Sequence, residues 1–270
     1  MKFYGHNLIF ISDLNIFKKE RINLYWKTNS IIEIGEQNWY GDVSFQDLKK
    51  TIDNYSDSKS KDILRRKLNE ITTFTELGKE PKSFSFDIAK LFYRAIFDYK
   101  EYLALDLQGT KHSINFDLNN EYKDVKKYDV VTNIGTSEHV FNQLAVFKTI
   151  HNSVKAGGFI IHQLPGQGYY DHGFYNYQPT FFFDLAQANN YFMIGFWMYD
   201  NNKEELINIH NRENYAKLYV RENHPTYYDN IVIYKSSDKK VEEFKLPTQY
   251  IYSKKNLTSE EQKQWDANKK

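Results

Sequence analysis

The run 128–140, YDVVTNIGTSEHV, is an apolar, β-branched stretch that stops at a glycine and a polar loop holding Glu138 and His139. An amphipathic run follows, then Gly157 and Gly158, then the unbroken apolar segment 159–164. Strands covered on both faces read as continuous apolar runs, and two of them separated by a helical pattern form a strand-helix-strand unit. In open α/β sheets the loop beyond a strand's carboxyl end is where ligands are met, which places Glu138 and His139 at a site. The chain is therefore expected to be an α/β enzyme.

Three landmarks lie upstream in chain order. The run 30–35, SIIEIG, closes on Gly35; 102–107, YLALDL, carries Asp106 near its end; and 115–119, NFDLN, is a short extended run. An acidic side chain interrupting an apolar run either sits at the mouth of a sheet or bears a burial cost, so Asp106 is expected at a strand end. Apolar residues at 88, 91, 92, 95 and 96 predict a helix over 86–99 that packs on the sheet. The polar, helical-looking stretch at about 45–80 is longer than a simple crossover needs and reads as an insertion forming a lid or an interface. A short helix is expected over 13–29, ahead of the first strand. Beyond 158 the pattern gives a strand, an aromatic loop (166–179), a helix (180–188), a strand (191–198), a polar helical segment (203–220) and a strand (230–234), with a polar tail from about 247.

Length and charge narrow the function. The 270 residues suit one α/β domain, 1–270, with elaborations. With 36 basic and 35 acidic residues the net charge is +1, so no long-range field draws the chain to nucleic acid or to an anionic membrane. The absence of cysteine excludes disulfides and thiolate chemistry, and no run is long enough to span a membrane, so a cytoplasmic protein is expected. A homodimer is compatible with the sequence without being demanded by it.

The ordered landmarks resemble the class I S-adenosylmethionine-dependent methyltransferases, over roughly residues 30–165. In that family the strand written YDVV ends in a loop often written EHV, and the next helix ends in GG before a strand finishing near proline, here Pro165. The resemblance implies a Rossmann-like, seven-stranded, mostly parallel sheet with helices on both faces and a helical insertion after the first strand. It also implies S-adenosylmethionine as cofactor, with S-adenosylhomocysteine as product. Carried over residue by residue, Glu33 and Gly35 form the first motif, Asp106 and Leu107 meet the ribose, Phe116, Asp117 and Leu118 frame the adenine, and Asn133 and Gly135 pass under the methionine portion. The family's further glycines are replaced here by Glu36, Gln37, Asn38 and Trp39, so this loop runs differently, and Gln37 is expected to donate a hydrogen bond in place of a backbone amide.

A nicotinamide site would need Gly-x-Gly-x-x-Gly, which the run 33–39 lacks, and the Asn/Asp-Pro-Pro-aromatic motif of base-modifying methyltransferases is absent at 133–136. Methyl transfer to a hydroxyl of a polar small molecule, a sugar or nucleotide sugar, is the leading expectation. Methyl transfer to a nitrogen and a non-catalytic, methyltransferase-like scaffold or partner protein are the alternatives. Histidine is the natural base near neutral pH, which makes His139 and His172 the catalytic candidates, with no metal. The loop PGQGYYDHGFYNYQP, 165–179, offers ring faces and polar edges suited to a sugar, so Glu138, His162, Tyr169, Tyr175 and Tyr177 are the substrate-binding candidates, although for His162, within a strand, a packing role is the stronger reading. The pairing of EHVFN with a later HGFY also resembles methyltransferases of bacterial surface-glycan and secondary-metabolite clusters.

Overall fold

The computed structural model describes residues 29–249 apart from 40–43, 57, 80–83, 98, 124–125, 210, 220–223 and 240–241. The helix expected over 13–29 thus falls, but for Asn29, outside the described residues, as does the tail from 250. The chain divides after Ser153 into two compact units.

The first unit contains strands β1 (Ser30–Ile34), β2 (Glu101–Asp106), β3 (Ser113–Asn115) and β4 (Tyr128–Ile134). Their order is β3-β2-β1-β4, all parallel, with Ile34 level with Leu105 on one side and Asn133 on the other. This register brings Gly35, Asp106 and Gly135 to one end of the sheet. The strands are apolar throughout because they are covered on both sides: Ile31, Ile32, Ile34, Val130 and Val131 have no exposed surface. The third strand ends at Asn115, so Phe116, Asp117 and Leu118 stand in the loop beyond it.

Helices α1 (Phe45–Tyr55), α2 (Ser58–Glu76) and α3 (Phe84–Phe97) fill the interval between β1 and β2. Ser44 caps α1, its hydroxyl accepting from the Asp47 N–H at 3.1 Å. Leu48 and Ile52, one turn apart, and Leu64 and Leu68 of α2 are buried, and the three helices pack pairwise on one another. The expected insertion is therefore helical; Leu48, Ile52, Leu64 and Leu68 are consumed in packing within the unit, while Ile63, Phe74 and Leu77 stay exposed. A 3₁₀ turn (Ser137–His139) and helix α4 (Gln143–Ser153) follow β4.

The second unit contains β5 (Val154–Gln167), α5 (Pro179–Asn189), β6 (Phe192–Asp200), β7 (Glu205–Asn208), α6 (Arg212–Tyr219) and β8 (Tyr228–Lys235). Here the strands run antiparallel in the order β5-β8-β6-β7. The described strands number eight rather than the seven expected, because β7 occupies part of the segment read as helical. A tight turn makes it: Asp200 Oδ1 accepts from the N–H groups of Asn202 (2.9 Å) and Lys203 (3.3 Å), and Glu204 adopts φ +54°. Gly157 and Gly158 lie inside β5 rather than before it. Gly157 takes φ +72°, and the Ser236 N–H reaches Gly158 O at 2.7 Å, so the glycines bend the strand while keeping it paired. Among the described residues no helix is long and apolar enough to cross a membrane. The architecture is α/β, and its parallel part is the Rossmann-like frame expected.

Candidate active site

The carboxyl ends of β1, β2 and β4 and the loop after β3 enclose a cavity of about 430 Å³, within the size range of small-ligand sites. Of the ten residues expected to hold the cofactor, eight line it: Gly35, Gln37, Asp106, Leu107, Phe116, Asp117, Leu118 and Gly135. Glu33 and Asn133 do not; both are buried behind it. Asn133 instead braces the turn after β4, its Nδ2 donating to Ser137 Oγ at 3.0 Å. The cavity wall also includes Glu36, Asn38, Asn119, Ile134, Thr136 and Val140, which the sequence reading did not single out as ligands, and the candidate base His139.

The loop after β1 shows how a single glycine suffices. Gly35 has φ +81°, and a Cβ there would stand 2.1 Å from Thr136 Oγ1, so both the backbone conformation and the close approach of the loop after β4 require glycine. Gln37 does not aim its amide donor at a ligand as expected. Its Nε2 donates to Ile134 O at 2.8 Å and Gly35 O at 3.3 Å, tying the two loops together. Glu33 accepts from the Gln37 N–H at 3.0 Å and from the Tyr102 hydroxyl. Burial raises its carboxyl to about 7, against the pull of those two donors.

Glu36 stands where the family has glycine, and its carboxylate is fully buried. Lys90 of α3 pairs with it, and Thr110 donates from both its N–H and its hydroxyl. Burial pushes the Glu36 carboxyl up, but the Lys90 and Thr110 donors outweigh that and hold it below the ordinary value. The Glu36 N–H in turn donates to Asp106 Oδ2 at 2.9 Å, and the Gln108 N–H to Asp106 Oδ1 at 2.7 Å. Each Asp106 oxygen keeps a lone pair, and a carboxylate with two oxygens to offer fits the adjacent hydroxyls of a ribose. Asp117 folds its own loop, accepting from the Asn119 N–H at 2.9 Å. Asn119 is tied to the start of α4 through Asn142, whose N–H and Nδ2 both donate to it at 3.0 Å. The residues present therefore fit S-adenosylmethionine: Asp106 for the ribose, Phe116 and Leu118 for the adenine, and the turns at Gly35 and Gly135 for the amino acid end.

Beyond that cavity wall, Glu138 is fully buried, with Oε1 3.8 Å from His139 Nε2. The His139 side chain is 46% exposed, and the burial of the remainder lowers its pKa, so the ring is neutral near pH 7. In the second unit His162 is fully buried, packed on Phe182 and Tyr234, and burial lowers it to about 3. It is a neutral core residue and not a substrate ligand. Tyr177 is also buried, packed on Phe181 and Phe182, with its carbonyl accepting from Asn230 Nδ2 at 2.8 Å; its role is likewise packing. Tyr175 is half-buried against the exposed Phe174. Tyr169 and His172, both half-buried, face each other at 5.4 Å. A residue absent from the expected set, Asp229 at the start of β8, is fully buried and hydrogen-bonded to Tyr169 and Asn201. Its signal in the sequence was an acid opening an apolar strand.

Comparison with known proteins bears on what the cavity serves. Structures similar to this chain include the 1,6-didemethyltoxoflavin-N1-methyltransferase of Burkholderia thailandensis with bound 1,6-didemethyltoxoflavin and S-adenosylhomocysteine (7% identity, 87% of this chain and 84% of that one, TM-score 0.40). The N-methyltransferase NodS of Bradyrhizobium japonicum WM9 aligns at 8% identity over 83% of this chain and 98% of that one, with TM-score 0.39. TehB from Haemophilus influenzae aligns at 7% identity over 54% of this chain and 52% of that one, with TM-score 0.37. No curated protein sequence matches at a significant level. The methyltransferase-domain family, by contrast, matches residues 81–222, more than half of the chain. The chain belongs to that family and is a class I S-adenosylmethionine-dependent methyltransferase domain.

Proposed function

We propose that the protein transfers the methyl group to a hydroxyl of a polar small molecule, a sugar or nucleotide sugar. The observation that carries the reading is His139, half-exposed on the wall of the cofactor cavity and kept neutral by partial burial. The cofactor, when bound, supplies an already activated methyl group. What the chain must add is alignment of the acceptor oxygen and a group to receive its proton. A neutral imidazole does the second at physiological pH. The loop 165–179 supports a polar acceptor with apolar faces: Tyr170 is 92% and Phe174 68% exposed, beside half-buried Tyr169 and His172. Methyl transfer to a nitrogen would use the same alignment.

The test begins by identifying the methylated product by mass spectrometry after incubation with candidate glycosides, nucleotide sugars and amines. With the acceptor in hand, His139→Ala is expected to lower turnover about a hundredfold while S-adenosylhomocysteine affinity, by calorimetric titration, stays within a few fold. The same assay on His172→Ala separates the two candidate bases. Turnover near wild type in both variants removes the histidine base. Product formed only from amines moves the reading to nitrogen.

A further inference from the structure

The loops after β1 and β2 brace each other through two carboxylates. Asp106, at the end of β2, accepts from the Glu36 N–H of the first loop at 2.9 Å and from the Gln108 N–H of the second at 2.7 Å, one on each oxygen. Glu36 makes the return tie: its carboxylate accepts from the Thr110 N–H at 2.5 Å and from the Thr110 hydroxyl at 2.8 Å, both in the second loop. Gly109 lets the chain pass this close, since a Cβ there would stand 2.8 Å from Glu36 Oε2 and 2.1 Å from Ser113 Oγ. The Glu36 side chain has no exposed surface, and a buried carboxylate needs a counter-charge. Lys90 supplies it from α3, its own side chain only 12% exposed. The ammonium is held in turn over the Phe86 and Tyr102 rings, at 5.6 and 5.3 Å from their centres.

We propose that Lys90 is a positioning residue for the ribose of the cofactor. It touches no ligand. It holds the Glu36 carboxylate, and that carboxylate ties the first loop to the second. The two loops then place the Glu36 and Gln108 N–H groups, and these fix how Asp106 presents its remaining lone pairs to the cavity that it lines. A glycine at position 36, as in the family, would still offer its N–H to Asp106, but it would leave the loops untied and Lys90 without its partner. The inference rests on Asp106 as the partner of the ribose and is independent of the acceptor.

A brace that served stability alone would, when broken, weaken every ligand of the cavity alike, and affinity would return with stability. Aiming Asp106 makes a narrower demand. The loss then falls on ligands that carry the ribose hydroxyls, because only they bond to the carboxylate. It also persists in a protein whose stability has been restored by removing both charges of the pair, since the loops remain untied.

The experiment measures, by calorimetric titration of the full chain, the affinity for S-adenosylhomocysteine and for its 2′,3′-dideoxy analogue, with urea unfolding alongside. Wild type should prefer the ligand with hydroxyls by about tenfold or more, and Asp106→Ala should abolish the preference, hydrogen bonds to a charged group being of that order. Lys90→Met should shrink the preference to about two- or threefold by weakening S-adenosylhomocysteine alone, and Lys90→Arg, which keeps the charge, should restore most of it. Should Lys90→Met fail to fold, the double variant of Glu36→Met with Lys90→Met gives the same reading. It strands neither charge and keeps the N–H of residue 36, and its preference should stay small while its stability returns toward wild type. Full preference in the double variant, or equal loss of both ligands in Lys90→Met, overturns the proposal. A wild type that holds both ligands equally overturns the assignment of Asp106 to the ribose and the role of Lys90 with it. A wild-type preference that Asp106→Ala abolishes and the Lys90 variants leave intact overturns the role of Lys90 alone.

Discussion

Among the described residues, Glu33 in the first unit and Asp229 in the second are fully buried carboxyls that burial raises to about 7, and the two are held in contrasting ways. Glu33 lies within β1, bonded to the Gln37 N–H and to Tyr102 on the neighbouring parallel strand. Asp229 is held from two loops, by Tyr169 and by Asn201. The first carboxyl fastens β1 to β2 and to the loop that follows β1, and ends in the interior. The second is linked through one phenol to a half-exposed loop. Similar desolvation is therefore met in two settings: beneath the loop after β1 in the parallel part, and beside a surface loop in the antiparallel part.

The largest effect is expected where the parallel part concentrates charge. Lys90 and Glu36 form a pair whose side chains are 12% and 0% exposed. Removing one partner of a buried pair strands the other charge and costs about 3–5 kcal/mol. Lys90→Met should lose stability on that scale in urea unfolding, and the double variant with Glu36→Met should recover much of it. A loss below about 1 kcal/mol would show that water already screens the pair, and the contrast between a braced and an open half would weaken.

Asp106→Ala comes next. It removes the acceptor for the Glu36 and Gln108 N–H groups and the carboxylate assigned to the ribose. Hydrogen bonds to charged groups contribute about 1.5–3 kcal/mol, so S-adenosylhomocysteine affinity should fall roughly 10- to 100-fold. Wild-type affinity in this variant would mean that the cavity holds its ligand some other way.

The same contrast governs how much could be read from the chain. In a parallel sheet every ligand-facing residue follows an apolar run, so Gly35, Asp106 and Gly135 were legible as the punctuation of strands. In the antiparallel part the strands alternate, and Asp229 enters at a strand's beginning while Asn201 follows a strand's end. No single rule of position marks them. Glu36 was visible as a departure from the family's glycines, but its partner Lys90 lies 54 residues away, and only the packing of α3 brings them together. β7 escaped because a four-residue edge strand with exposed ends carries too little apolar signal to outweigh a polar, helix-like composition. Tyr177 was drawn toward a site by its place in the aromatic loop, and burial reassigned it; His162, for which packing was the stronger reading, is fully buried.

The smallest effect tests the two carboxyls together through the pH dependence of folding. A carboxyl whose folded pKa is raised contributes stability that is fully present below its unfolded value and is lost as pH rises through the folded value. Both carboxyls place that loss between the ordinary carboxylate range and about pH 7. Glu33→Gln, with its carbonyl oxygen in the place of Oε2, keeps the acceptor that both donors share and cannot ionise, so its unfolding free energy should decline less steeply than wild type between pH 5 and 8. Asp229→Asn should flatten the same interval independently, and the double variant should show the sum, because the two sites share no hydrogen-bond partner. The Tyr102 phenol, held protonated by burial and by the neighbouring Glu33, remains a donor across this range and adds no slope of its own. Parallel pH profiles of wild type and Glu33→Gln, measured by urea unfolding, would mean that Glu33 stays ionised throughout. Its bond from Tyr102 would then be a charged one, stronger than a tie between neutral groups, and the equivalence drawn between the two carboxyls would fail on the cofactor side.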